Sequence, residues 1–197
     1  RSMFSLHFGN YGGDLTRWLY LVLGMGGAFL FYSGNILWIE SRIKRQKNPN
    51  LPVPNQRKDV RFIASLTIGA CLGCILAITA SMLIGRWAYV INAELVSLNH
   101  WFMYSYYAVF LSCLIYSFIK GAGKALPQFL ISIAILLCLL PLTSFIALLL
   151  PNMGLWSSHS SLWWIDIMAV VMAILFLRFY IQAKHRQKNI EAGSIWA

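Results

Sequence analysis

Acidic residues are scarce in this chain, with six Asp and Glu against sixteen Lys and Arg in 197 residues. The few carboxylates form no paired arrangement of the kind used in general acid–base hydrolysis. Charge of either sign is thin, at 11% of residues, whereas 59% are apolar. That balance excludes an ordinary soluble domain, in which about a quarter of residues are charged. Cysteine is limited to Cys71, Cys74, Cys113 and Cys138. All four fall inside apolar runs, so no disulfide scaffold is expected. The Cys71-x-x-Cys74 pair has no neighbouring cation to favour a thiolate, and small packing residues in a helix interface are the simpler reading. There is no Ser-His-Asp grouping, no phosphate-cradling glycine loop, no internal repeat and no low-complexity tract.

What is abundant is long apolar sequence. A helix rises ~1.5 Å per residue, so about 20 apolar residues cross a ~30 Å hydrocarbon layer. Five such spans are predicted, at about 15–39, 60–85, 99–119, 126–150 and 162–181. The expected fold is all-α: a polytopic membrane protein with a five-helix transmembrane bundle forming a single transmembrane domain. Asp14, after Gly12-Gly13, is placed to cap the first helix.

The net charge of +10 does not imply nucleic-acid binding. In membrane proteins, Lys and Arg collect in cytoplasmic loops and set orientation. Between the first two spans lie Arg42, Lys44, Arg45, Lys47, Arg57, Lys58 and Arg61. Lys120 and Lys124 lie between the third and fourth, and Arg178, Lys184, Arg186 and Lys188 at the end of the fifth. Only Arg1, Arg17 and Arg86 fall on the other side. This asymmetry predicts a cytoplasmic C-terminus and an N-terminus outside, which in a bacterium means the periplasm. The loop from Asn48 to Asn55 holds Pro49, Pro52 and Pro54 and is expected to be extended. Its flanking cations would meet anionic lipid heads, at about 1 kcal/mol each.

Small residues mark where helices approach. Gly24, Gly26 and Gly27 lie in the first span and Gly69-x-x-x-Gly73 in the second. Lipid supplies no hydrophobic drive between helices, so close backbone approach has to. Pro141 is expected to kink the fourth span, which neighbouring helices tolerate.

Of the four histidines, His7, His100 and His159 fall on the predicted outer side, each just before or at the start of a span that runs inward. His185 sits among Lys184, Arg186 and Lys188 at the basic edge and reads as solvated. Axial ligation of a b-type haem requires two neutral imidazoles from different helices, with apolar walls excluding water. Asn10, Asn99, Ser157 and Ser160 are available as acceptors for the other ring nitrogens. Interfacial anchoring accounts for the same histidines without a cofactor. Asp166 lies about one turn inside the fifth span. Intramembrane acids point to function, but capping or pairing with a nearby donor explains so shallow a position equally well. Outer-side aromatics, including Trp18, Trp87, Trp101, Tyr104, Trp156, Trp163 and Trp164, read mostly as an interfacial belt.

The segment His7-Phe8-Gly9, Tyr11-Gly12-Gly13, the long apolar helix, Ser33-Gly34 and Leu37-Trp38 before a basic run resembles the PepSY-associated transmembrane family. This is a family of bacterial iron-regulated inner-membrane proteins that includes haem-containing siderophore reductases. The resemblance is good over residues 5–45 and looser beyond. It implies an inner-membrane oxidoreductase that carries haem b and passes electrons from an unidentified donor to a periplasmic ferric siderophore. Reduction weakens the hold of hard oxygen chelators on iron. On this reading His7 and His100 are the favoured pair of ligands to the haem iron, and His159 is the substitute. The family also implies a preceding helix and a periplasmic PepSY domain, which this stretch lacks. Its start at Arg1, without a signal-peptide pattern, reads as the later part of a longer or trimmed polypeptide. A second, inward cofactor would need ligands from elsewhere. The alternative is a non-catalytic membrane subunit packed against a partner protein. A transporter fits less well, because the spans are nearly uninterrupted.

Overall fold

The computed structural model describes residues 13–46, 57–90, 95–150, 162–188 and 196. They form five helices: α1 (Gly13–Gln46), α2 (Lys58–Val90), α3 (Leu95–Lys120), α4 (Ala122–Leu149) and α5 (Leu162–Gln187). There is no strand among the described residues. All five helices are long and apolar enough to cross a membrane, so the all-α, five-span expectation is borne out. Most helices run past the apolar stretch by a turn or more, because polar residues at the headgroup level extend a helix as readily as apolar ones. Two units are distinguished, residues 1–46 and residues 47–197.

In the first unit, α1 is one continuous helix. Its interfacial end carries Arg42, whose guanidinium carbon lies 5.0 Å from the centroid of the Trp38 ring. A cation held over an indole in this way suits the headgroup region. The side chain of Asp14, expected to cap this helix, lies outside the described residues.

The second unit packs α2 against α3 and α4, and α4 against α5. Helix α2 is the most buried of these, with Ile68, Ala77 and Ser81 enclosed and Ile133 and Ala134 buried on its neighbour α4. The α2–α3 seam is antiparallel, and Gly69-x-x-x-Gly73 forms it as expected. A Cβ at Gly69 would come within 3.1 Å of Leu114 and Ser117, and one at Gly73 within 2.9 Å of Cys113 Cβ. The Ser117 hydroxyl donates to the Ser65 carbonyl across the same seam at 2.7 Å. Further along, Cys74 Sγ and Tyr106 Oη are 3.4 Å apart. Cys74 and Cys113 thus sit in a helix interface as packing residues, and Cys71, Cys74, Cys113 and Cys138 are all free thiols.

A tight turn joins α3 to α4. Gly121 has φ +82° and ψ 159°, a conformation essentially restricted to glycine. Its N–H donates to the Ser117 carbonyl and its own carbonyl accepts from Ala125. Gly121→Ala is expected to destabilise the unit by about 1–3 kcal/mol, read as a lowered unfolding midpoint in detergent.

Helix α4 passes through both Pro127 and Pro141 without ending. A proline removes the N–H that would serve the carbonyl four residues earlier. For Pro127 that carbonyl is Gly123, and the Gln187 side-chain amide donates to it at 2.5 Å. The last residue of α5 therefore supplies the hydrogen bond that the proline deletes. Near Pro141 the polar side chains of α4 cluster, as described next.

Candidate functional site

Toward the end of the second unit opposite Gly121, α2, α4 and α5 converge on one cation. Arg86 is the only charged residue of α2 between Arg61 and Val90. Its Nη1 donates to the Leu140 carbonyl at 2.9 Å, to Thr143 Oγ1 at 3.0 Å and to Ser144 Oγ at 2.8 Å. Thr143 also donates back to the Leu140 carbonyl at 2.7 Å. Nη2 lies 3.7 Å from Asp166 Oδ1, with the two side chains only 15% and 19% exposed. Asp166 Oδ1 is enclosed and makes no hydrogen bond among the described residues. Among the described residues, Oδ1 is thus held by the charge of Arg86 without a hydrogen bond. A guanidinium can do this because its planar fork presents five donors, enough to reach two other helices at once.

Pairing with a nearby donor is therefore what Asp166 does, one of the two structural roles open to it from the sequence. Its partner was not singled out there, because Arg86 counted only as an outer-side charge. The signal was nonetheless present: Arg86 is the one cation at the outer end of its apolar helix, at the same predicted level as the lone acid of the fifth span.

Of the three histidines expected near the outer face, His100 is described and His7 and His159 lie outside the described residues. His100 lies on the exposed side of α3 within its first two turns, with its ring stacked on Tyr104 at 5.9 Å between centroids and 18° between planes. An (i, i+4) pair on one helix face brings two rings together in this way. Phe102 packs over Gly85, where a Cβ would be 3.4 Å away. That contact puts His100 at the same end of the unit as Arg86 and Asp166. Trp101, Tyr104 and Tyr107 are exposed beside it. Of the four acceptors considered for the ring nitrogens, Asn99 is described and exposed. No group of three or more His, Cys, Asp or Glu side chains suited to a metal ion occurs among the described residues.

The donor chemistry at His100 suits an iron porphyrin in one respect. It offers an accessible imidazole on an aromatic, membrane-spanning helix, and imidazole nitrogen is a ligand that such a group takes. His185, in the last turn of α5, is exposed among Lys184 and Arg186 and is far from this end.

Comparison with known proteins places the N-terminal segment. Residues 1–41 match the family of the PepSY-associated TM region. The match takes in His7-Phe8-Gly9, the glycine pair and α1 through Ser41, the same residues on which the resemblance rested. This part of the chain is thus similar to a PepSY-associated TM region. No curated protein and no solved structure matches the chain.

Proposed function

We propose that this PepSY-associated membrane protein is a haem-b-containing oxidoreductase of the bacterial inner membrane that passes electrons to a periplasmic ferric siderophore. The observation that carries the reading is an accessible imidazole, His100, at one end of a membrane-spanning unit, in a chain whose N-terminal PepSY-associated segment brings His7 in its His-Phe-Gly motif. His100 would supply one nitrogen ligand to the iron. His7 would supply the other, with His159 as the substitute. Bound there, the haem would supply one-electron chemistry. The chain's own part is to present neutral imidazoles and to keep water away with aromatic and aliphatic side chains. Trp101 and Tyr104 neighbour His100 and, on this reading, would meet a bulky chelate or the porphyrin edge. The C-terminus, on this reading, is cytoplasmic, following the distribution of Lys and Arg.

The test is spectroscopic. Protein purified after expression with ample haem is expected to be red, with a Soret band that sharpens and shifts on dithionite reduction. His100→Ala should abolish or displace that band, and so should His7→Ala. Unchanged spectra in each single histidine variant would defeat the ligand assignment. A colourless protein would instead favour a non-catalytic subunit that packs against a partner.

A further inference from the structure

Where α2, α3 and α4 meet, the second unit carries an open groove of about 650 Å³. Leu76, Val109, Cys113 and Phe129 contribute its apolar wall. At its rim the Tyr116 hydroxyl donates to the side-chain carbonyl of Gln128, bridging α3 and α4. Lys120 is four residues beyond Tyr116 on α3, and Lys124 is four residues before Gln128 on α4. Residues at that spacing share a helix face, about one turn apart. The Gly121 turn holds the two helix ends together, so both ammonium groups arise beside the same mouth.

Both lysines are exposed. Among the described residues the acid at that end of the unit, Asp59, is engaged by Arg57 at 3.0 Å. Passing from the groove outward, the polarity therefore changes in three steps: an apolar trough, a neutral hydrogen-bonding pair, and two positive charges. A phospholipid has the complementary sequence of acyl chain, ester and glycerol oxygens, and phosphate. We propose that the groove is a binding site for one anionic phospholipid, with an acyl chain along Leu76 and Phe129 and its phosphate between Lys120 and Lys124. The trough would accept the tail of any lipid. The lysine pair selects the headgroup, since a zwitterionic lipid answers only part of its charge.

The experiment uses the full chain reconstituted in phosphatidylcholine vesicles doped with phosphatidylglycerol, then extracted for native mass spectrometry. One phosphatidylglycerol per chain is expected to stay bound, in preference to phosphatidylcholine. Lys120→Gln with Lys124→Gln should cut its retention roughly tenfold or more. Removing equal charge at the same end but off the groove, by Lys184→Gln with Arg186→Gln, should leave retention unchanged. Ser132→Trp, which fills the groove, should abolish it, and Ala108→Leu serves if that variant does not fold. Equal retention of the two lipids would overturn the proposal. So would equal loss in both charge variants, undiminished retention in the Lys120/Lys124 variant, or displacement of the lipid by an added isoprenoid quinone.

Discussion

Replacing Arg86 with Leu is expected to lower the unfolding free energy of the second unit by about 3–5 kcal/mol, the usual cost of stranding one member of a buried ion pair. The geometry explains why the loss should be so large. Three oxygens on α4 and one carboxylate on α5 all depend on the same guanidinium. Thr143 and Ser144 retain a fallback, since each can donate to the Leu140 carbonyl. Asp166 Oδ1 has no such alternative among the described residues, so a largely buried carboxylate oxygen would be left without its cation. Asp166→Leu alone should cost less, because Arg86 keeps its three acceptors on α4. The double variant, Arg86→Leu with Asp166→Leu, should recover much of the loss, since no buried charge then remains. A double-mutant cycle measured by reversible unfolding in mixed micelles tests all three outcomes. Strict additivity of the single effects would mean that the pair does not couple the helices.

Gly73→Leu is expected to disrupt the α2–α3 seam, at a cost of about 3 kcal/mol or more, the upper end for overpacking a well-fitted site. Even Ala introduces a Cβ 2.9 Å from Cys113 Cβ. That neighbouring atom is fixed to its backbone and cannot swing aside, so one helix must move. The displacement would stretch the Ser117–Ser65 hydrogen bond and separate Cys74 from Tyr106. In lipid, where apolar surfaces gain little by meeting one another, such short-range contacts carry the association. Cys113→Gly should partly rescue Gly73→Ala by reopening the space, although glycine within α3 lowers the recovery by about 1 kcal/mol. Thermal unfolding followed by circular dichroism separates the single variant from the rescued one.

The parts of this fold that were legible in the sequence are those governed by averages or by short repeats. Hydropathy summed over some twenty residues locates five spans whatever their neighbours do. Gly69-x-x-x-Gly73 declares a close approach because only small residues permit one. Which helix would fill that space was not legible, because Ser117, Leu114 and Cys113 carry no pattern distinct from the rest of α3. The bridge from Gln187 to the Gly123 carbonyl was hidden for a related reason. Pro127 announces a missing N–H, but nothing local says which distant donor compensates. Arg86 and Asp166 were visible as individuals, while their pairing depends on α2 and α5 both packing on α4. For the candidate haem site, His100 was legible as an imidazole at a helix opening, and its stacking with Tyr104 follows from helical spacing.

The final helix is fastened at two levels. Asp166 faces Arg86 near one membrane surface, and Gln187 hooks the Gly123 carbonyl near the other. At ~1.5 Å per residue these anchor points stand about 30 Å apart, close to the thickness of the hydrocarbon layer. The helix is consequently a strut of fixed span that cannot slide along its axis without breaking one clasp. A bilayer somewhat thicker or thinner than that length must then be met by leaning α4 and α5 together.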